Sequence, residues 1–158
     1  MLRFYLSHAR TYFLSVVSLL AALEKKDVEL GFIDSQSANK LKNQSEIKVN
    51  FDKSIMMHAD LSNGNFAESS FFRANLYEAV LEGGNFEGAN FESANLTRVK
   101  FNGASLIGVS FKNSNLMEAD FTASNILDAD FTGSNLNNAI WTDGSRCGLE
   151  SIGLCKKQ

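Results

Sequence analysis

The chain has 158 residues, a formal net charge of −3 and 44% hydrophobic residues, enough for one domain with a buried core. So small a charge excludes a strongly basic nucleic-acid surface and gives equally little support to an acidic surface that imitates DNA. Proline is absent, phenylalanine is abundant with 13 copies, and the two cysteines, Cys147 and Cys155, both lie near the C-terminus.

Residues 1–23 carry Arg3 and Arg10 and then run apolar from Tyr12 to Leu23. A membrane-crossing helix takes about 20 apolar residues. This run is shorter and resembles the core of a signal peptide, although Leu19 and Leu20 stand upstream of the small Ala21 and Ala22. The segment reads as a secretory or thylakoid-transfer signal. A retained helix that covers the end of the domain or docks on a membrane complex, and a membrane span, are the alternatives. Residues 24–48 are polar and irregular apart from the cluster VELGFID. They read as a linker and N-terminal cap in which Phe32 and Ile33 supply the apolar contacts.

From residue 49 to 142 one pattern governs the sequence. A large apolar residue recurs at every fifth position from Phe51 through Met56, Leu61 and Phe66 to Trp141, nineteen in unbroken register. Five matches neither the helical period near 3.6 nor the strand period of 2. Two positions before each large residue stands a small one, such as Ala59, Ala74 or Ala89, and one position before is usually Asn, Asp or Ser. Side-chain type also correlates at twenty residues: Phe51, Phe71, Phe91, Phe111 and Phe131 form one set, and Met56, Leu76, Leu96, Leu116 and Leu136 another. A coil of four five-residue sides produces both periods. Each side turns one large and one small residue inward, and like stacks on like in the next coil about 4.8 Å away.

The stretches HADLS, RANLY, GANFE, SANLT, EADFT and DADFT resemble the pentapeptide-repeat motif, Ala-(Asp/Asn)-(Leu/Phe) followed by two variable residues. The resemblance covers roughly residues 49–142. It implies an all-β repeat solenoid, a right-handed quadrilateral β-helix with four pentapeptides per coil, closed by short helical caps.

Most positions need no functional explanation. Asn75, Asn95, Asn115 and Asn135 recur at one place in successive coils and read as a ladder at the turns, each amide bonding local backbone. Glu78, Arg98 and Glu118 stack with alternating sign and read as a surface charge ladder of little individual worth. His8 and His58 are the only histidines, and His58 reads as solvated. The sequence carries no Cys/His cluster at zinc spacing and no Gly-rich phosphate loop followed by Lys. Glu82, Glu87 and Glu92 fall on three different sides, a poor arrangement for paired acid–base work. The expectation is a protein that is not an enzyme, with no cofactor, metal, small-molecule substrate or nucleic acid. A few outward positions are apolar. Phe72 and Tyr77 follow large residues on adjacent sides, Met117 lies two coils beyond Tyr77, and Ile107 and Leu127 are one coil apart. Phe72, and the strips of Tyr77 with Met117 and Ile107 with Leu127, are the candidate protein contacts; cover by the terminal segments is the alternative.

Residues 143–158, after Trp141, place Leu149, Ile152 and Leu154 at one-turn spacing between the cysteines and read as a capping helix that covers the Trp141 ring. Asp143, Gly144, Cys147, Ser151, Ile152, Gly153 and Cys155 resemble the tail of lumenal pentapeptide-repeat proteins of cyanobacteria and chloroplasts. That resemblance implies a helix closed by a Cys147–Cys155 disulfide, and hence an oxidising compartment. Two free thiols in a reducing cytosol are the competing reading. The chain as a whole reads as a structural or protein-interaction solenoid of the thylakoid lumen or a periplasm, attached to an unidentified partner such as a photosynthetic membrane complex and otherwise monomeric. A gyrase-protecting DNA mimic is the alternative function, and a cytoplasmic location the alternative address.

Overall fold

The computed structural model describes residues 28–29 and 48–158. The signal-like segment 1–23 and most of the 24–48 segment, with His8, Phe32 and Ile33, lie outside the described residues. Strand β1 (Val28–Glu29) pairs in parallel with β2 (Val49–Asn50), so part of the 24–48 segment runs along the first side of the repeat region.

From there the chain winds as the two periods predict. The residue before each large side chain bridges in parallel to its counterpart twenty positions on: Asn50 to Ser70, Ile55 to Asn75, Asp60 to Val80 and Asn65 to Asn85. Four bridge columns per twenty residues make a coil of four sides, and the columns continue to the pair Asp120 and Ile140. Side 1 carries the Phe51 set, side 2 the Met56 set, side 3 Leu61 and its counterparts, and side 4 Phe66 and its counterparts.

Each side repeats one hydrogen-bond scheme. The Phe51 N–H donates to Ser70 O at 2.7 Å and the Lys53 N–H to Phe72 O at 2.9 Å, while the Ser70 N–H reaches back to Val49 O at 2.9 Å. The corner is a turn in which the Ser54 N–H donates to Phe51 O at 3.1 Å. Its third residue, Lys53, has φ of 60°, as a type II turn requires. Where this corner position is not glycine, the left-handed conformation costs roughly 1–2 kcal/mol, which the corner's N–H bond to the next coil helps to offset.

The N–H after each large residue is left over by this ladder, and here the preference for Asn or Asp finds its cause. The Oδ1 of Asn50 accepts from the Asp52 N–H at 2.8 Å, that of Asn90 from Glu92 at 2.9 Å and that of Asp120 from Thr122 at 2.9 Å. A short side-chain carbonyl satisfies the group locally. On side 2 the amides also link coils, with Asn95 Nδ2 donating to Asn75 Oδ1 at 3.0 Å and Asn135 Nδ2 to Asn115 Oδ1 at 3.2 Å.

The interior is a filled shaft. Phenylalanine rings stack at centroid distances of 4.8 Å for Phe51–Phe71, 4.5 Å for Phe71–Phe91 and 5.5 Å for Phe91–Phe111, with planes within 17° of parallel. The small residues are as deeply buried as the large ones. At two of them even Ala is too large: a Cβ on Gly64 or Gly84 would lie 2.3 or 2.5 Å from the Cε2 of Phe66 or Phe86. Buried serines turn their hydroxyls back onto the carbonyl of the large residue, as Ser114 does to Phe111 and Ser124 to Phe121, both at 2.7 Å. Among the described residues no buried side-chain polar atom is left without a partner. Truncating Phe91 opens a cavity that its stacked neighbours cannot close, so Phe91→Ala should destabilise the fold by about 3–5 kcal/mol in urea titration; a cost below about 1 kcal/mol would contradict an interior position.

Candidate functional site

With the interior filled, the exterior and the two ends are where this domain can meet other molecules. The outward candidates do not converge. Phe72 is on side 1, half-buried, with the Arg73 guanidinium 4.9 Å from its ring centroid. Tyr77 and Met117 are on side 2, but Thr97 separates them and is itself nearly buried, so they form no continuous strip. Tyr77 is held in a local network: its hydroxyl accepts from Arg98 Nη1 at 3.1 Å and its ring lies 5.8 Å from that of His58. Ile107 and Leu127 are consecutive on side 4, the first half-buried and the second 62% exposed.

The charge ladder on side 2 is longer than the sequence suggested. Arg98 reaches Glu118 at 2.8 Å and Glu78 at 3.2 Å, and His58 Nδ1 lies 3.3 Å from the far oxygen of Glu78. The Tyr77 hydroxyl, ahead of Arg98, holds the Glu78 carboxyl below its ordinary range. All members are substantially exposed, which makes the ladder a modest contributor. Among the described residues no group of His, Cys, Asp and Glu could hold a metal ion, and no helix is long and apolar enough to cross a membrane.

The C-terminal end departs from expectation. Residues 143–158 form no helix. The chain reverses at Gly144, whose φ is 82°, and returns along the last coil in antiparallel bridges from Ile140 to Arg146 and Asn135 to Ile152, then closes on itself from Cys147 to Lys157. The cause lies in the coil above. Its edge presents unpaired main-chain groups, which a helix, using its own groups internally, would leave unsatisfied. The returning chain satisfies them: Cys147 O accepts from Asn138 at 3.1 Å, Ser151 O from Leu136 at 2.8 Å and Ser145 O from Trp141 at 2.7 Å. Glu150 and Gly153, at φ of 61° and 68°, also break any helical path.

The apolar residues of this clasp are corrected too. Leu149, Ile152 and Leu154 are 69%, 55% and 69% exposed and do not cover Trp141. Of this segment it is the cysteines that are turned inward: Cys147 is fully buried and Cys155 packs against the core, and the two are joined by a disulfide with Cα atoms 5.0 Å apart. Trp141 packs instead on Phe121 and Phe131, with centroids 5.6 and 5.3 Å away. Lys157 Nζ meets Asp143 Oδ2 at 2.5 Å and ties the last residues to the reversal.

A family model described as pentapeptide repeats matches residues 74–113 and 114–140 with eight copies. No curated protein matches the chain in sequence. Solved structures match it in fold. A pentapeptide repeat protein from the Arabidopsis thaliana thylakoid lumen is 17% identical, with a TM-score of 0.64 over 77% of this chain and 87% of that one. Rfr23, from the cyanobacterium Cyanothece 51142, is 28% identical over 61% of this chain and 63% of its own, with a TM-score of 0.40. HetL, a protein involved in heterocyst differentiation regulation from the cyanobacterium Nostoc sp. strain PCC 7120, is 21% identical over 77% and 65%, with a TM-score of 0.38. At 17% identity the likeness to the thylakoid-lumen protein speaks for the fold alone.

Closing the loop between Cys147 and Cys155 should contribute roughly 2–3 kcal/mol through the unfolded chain, so reduction should lower the urea midpoint. Mass spectrometry after alkylation without prior reduction should find neither cysteine modified, and two modified cysteines would remove the disulfide. The Asp143 carboxyl is held well below the usual carboxylate range, first by Lys157 and then by Ser145. Its contribution is therefore complete above the unfolded value near pH 3.9 and is lost as pH falls below it. Asp143→Asn should lose less stability than the parent between pH 6 and pH 3 in parallel urea titrations.

Proposed function

Because the repeats of residues 74–140 are pentapeptide repeats coiled into a β-helix, we propose that the chain is a non-enzymatic binding scaffold of an oxidising compartment, the thylakoid lumen or a periplasm, and that its partner is a protein, of the kind found in photosynthetic membrane complexes. The right-handed sense of the coil belongs to the same reading. The observation that carries the compartment is the clasp. The disulfide stands where the sequence placed a helix and its leucines, at the cover of the last coil. A reducing cytosol would leave that cover without its cross-link. The signal-like segment 1–23 supports the same address independently. In this reading 49–142 is the scaffold, 143–158 its C-terminal closure, and 24–48 its N-terminal cap.

The scaffold reading is supported by the way the side chains divide. The apolar ones fill the shaft, and the outward ones are polar apart from a few exposed apolar positions such as Leu127. The DNA-mimic alternative needs a dense acidic face. Here acidic groups alternate with cations: Arg98 sits between Glu78 and Glu118, and Lys112 lies 3.1 Å from Asp130. Affinity purification of the tagged full chain from the membranes of its native cells, under non-reducing conditions, should recover a stoichiometric membrane-associated protein. Inhibition of DNA supercoiling by gyrase at sub-micromolar protein would instead favour the mimic.

A further inference from the structure

The clasp closes only half of the last coil. In the earlier coils the N–H groups of the large residue and of the residue two beyond it donate to the following coil, and the carbonyl two before it accepts from that coil. At the C-terminal end the clasp supplies these partners on sides 2 and 3. Ser151, Cys147 and Ser145 carbonyls accept from Leu136, Asn138 and Trp141, and the Gly153 and Cys147 N–H groups donate to the carbonyls of Ser134 and Ala139. Side 4 and the start of side 1 receive no such cover from the described residues. Among the described residues, the N–H groups of Ile126, Asp128 and Phe131 and the carbonyls of Ser124 and Ala129 have no hydrogen-bond partner. Towards side 2 the opening ends at Gly153, which packs under Gly133.

The same edge is where the apolar shaft comes nearest to solvent. Phe66, Phe86 and Leu106 are fully buried, while Ile126 below them is only partly so. Leu127 beside it is 62% exposed and continues the side-4 column from Ile107. At the corner, Asp128 is exposed and makes no ion pair among the described residues. Three complementary features thus lie together over residues 124–131: an alternating row of free donors and acceptors, an incompletely covered apolar column, and an unmatched negative charge.

We propose that this edge is a docking site for an extended segment of another protein. The segment adds in parallel as a further pair of sides, with one apolar residue seated over the partly exposed Ile126, a second five positions on at the rim of the nearly buried Phe131, and a basic residue at the corner by Asp128. Main-chain pairing at an exposed sheet edge supplies affinity, and the alternate side chains supply specificity. The parallel direction is that of the coils above, where this hydrogen-bond row pairs with a parallel chain on every side, whereas the clasp on sides 2 and 3 pairs antiparallel. The inference rests on the scaffold reading and names where that scaffold binds.

A peptide copying residues 105–114 of this chain, with Gly108→Lys to face Asp128, carries the required pattern and tests the site. In the full, oxidised protein, amide hydrogen exchange of Ile126, Asp128 and Phe131 should slow by about tenfold at peptide about ten times its Kd, and the same peptide with Leu106→Lys and Phe111→Lys should have no effect. Leu127→Asp should weaken peptide binding by about tenfold without moving the urea midpoint. The proposal is overturned if the amides are unaffected at roughly millimolar peptide, if they are already protected in the free monomer, or if their protection tracks self-association in sedimentation, which would make a second copy the occupant. A purified partner that binds the Leu127→Asp variant as well as the parent would leave the scaffold reading intact and remove this one.

Discussion

The register of twenty residues between paired main-chain groups is the constraint on which everything else depends. A side of five residues is too short to satisfy its own N–H and C=O groups, so each side borrows partners from the coil before and the coil after. That demand fixes the corner conformation. It also leaves one N–H per side for an Asn or Asp to accept, and it sets the spacing at which phenylalanine rings stack. Apolar burial stabilises the shaft, but the ladder decides which residues face each other within it. Repeat folds of this kind gain stability from nearest-neighbour contacts along one dimension.

This explains which parts of the molecule the sequence announces. The shaft is written in a period that no helix or strand shares, so the sequence alone places Phe91 and Phe111 one above the other, and the Asn column of side 2 with them. The tail obeys a different logic. Leu149, Ile152 and Leu154 carry helical spacing, yet the local preference loses to the edge above, whose free groups need an extended chain alongside. That requirement comes from the coil and cannot be read in the tail itself. The local hints were three glycines, 144, 148 and 153, within so short a segment.

Surface features were legible as columns but not as contacts. Tyr77 and Met117 align in sequence at a forty-residue interval, but Thr97 fills the space between them, and the Tyr77 hydroxyl turns towards Arg98. His58, read as merely solvated, joins the head of the ladder through Glu78. The edge at 124–131, which has no main-chain partner among the described residues, was not legible at all, because it emerges only once the path of the last residues is known.

The four-sided coil has a consequence for how such a chain can change in length. Removing or inserting twenty residues shortens or lengthens the shaft by one storey and returns every later residue to its original side. An insertion of five keeps large and small residues correctly inward but turns everything downstream by a quarter, so that one placed between residues 98 and 107 would move the column of Ile107 and Leu127 from the side opposite Glu78 and Arg98 to a side next to them. Any other small number sends polar residues into the shaft. Indels in this molecule therefore act as a dial with four settings: the interior tolerates each click, while the pattern displayed to a partner is rearranged by all but a full revolution.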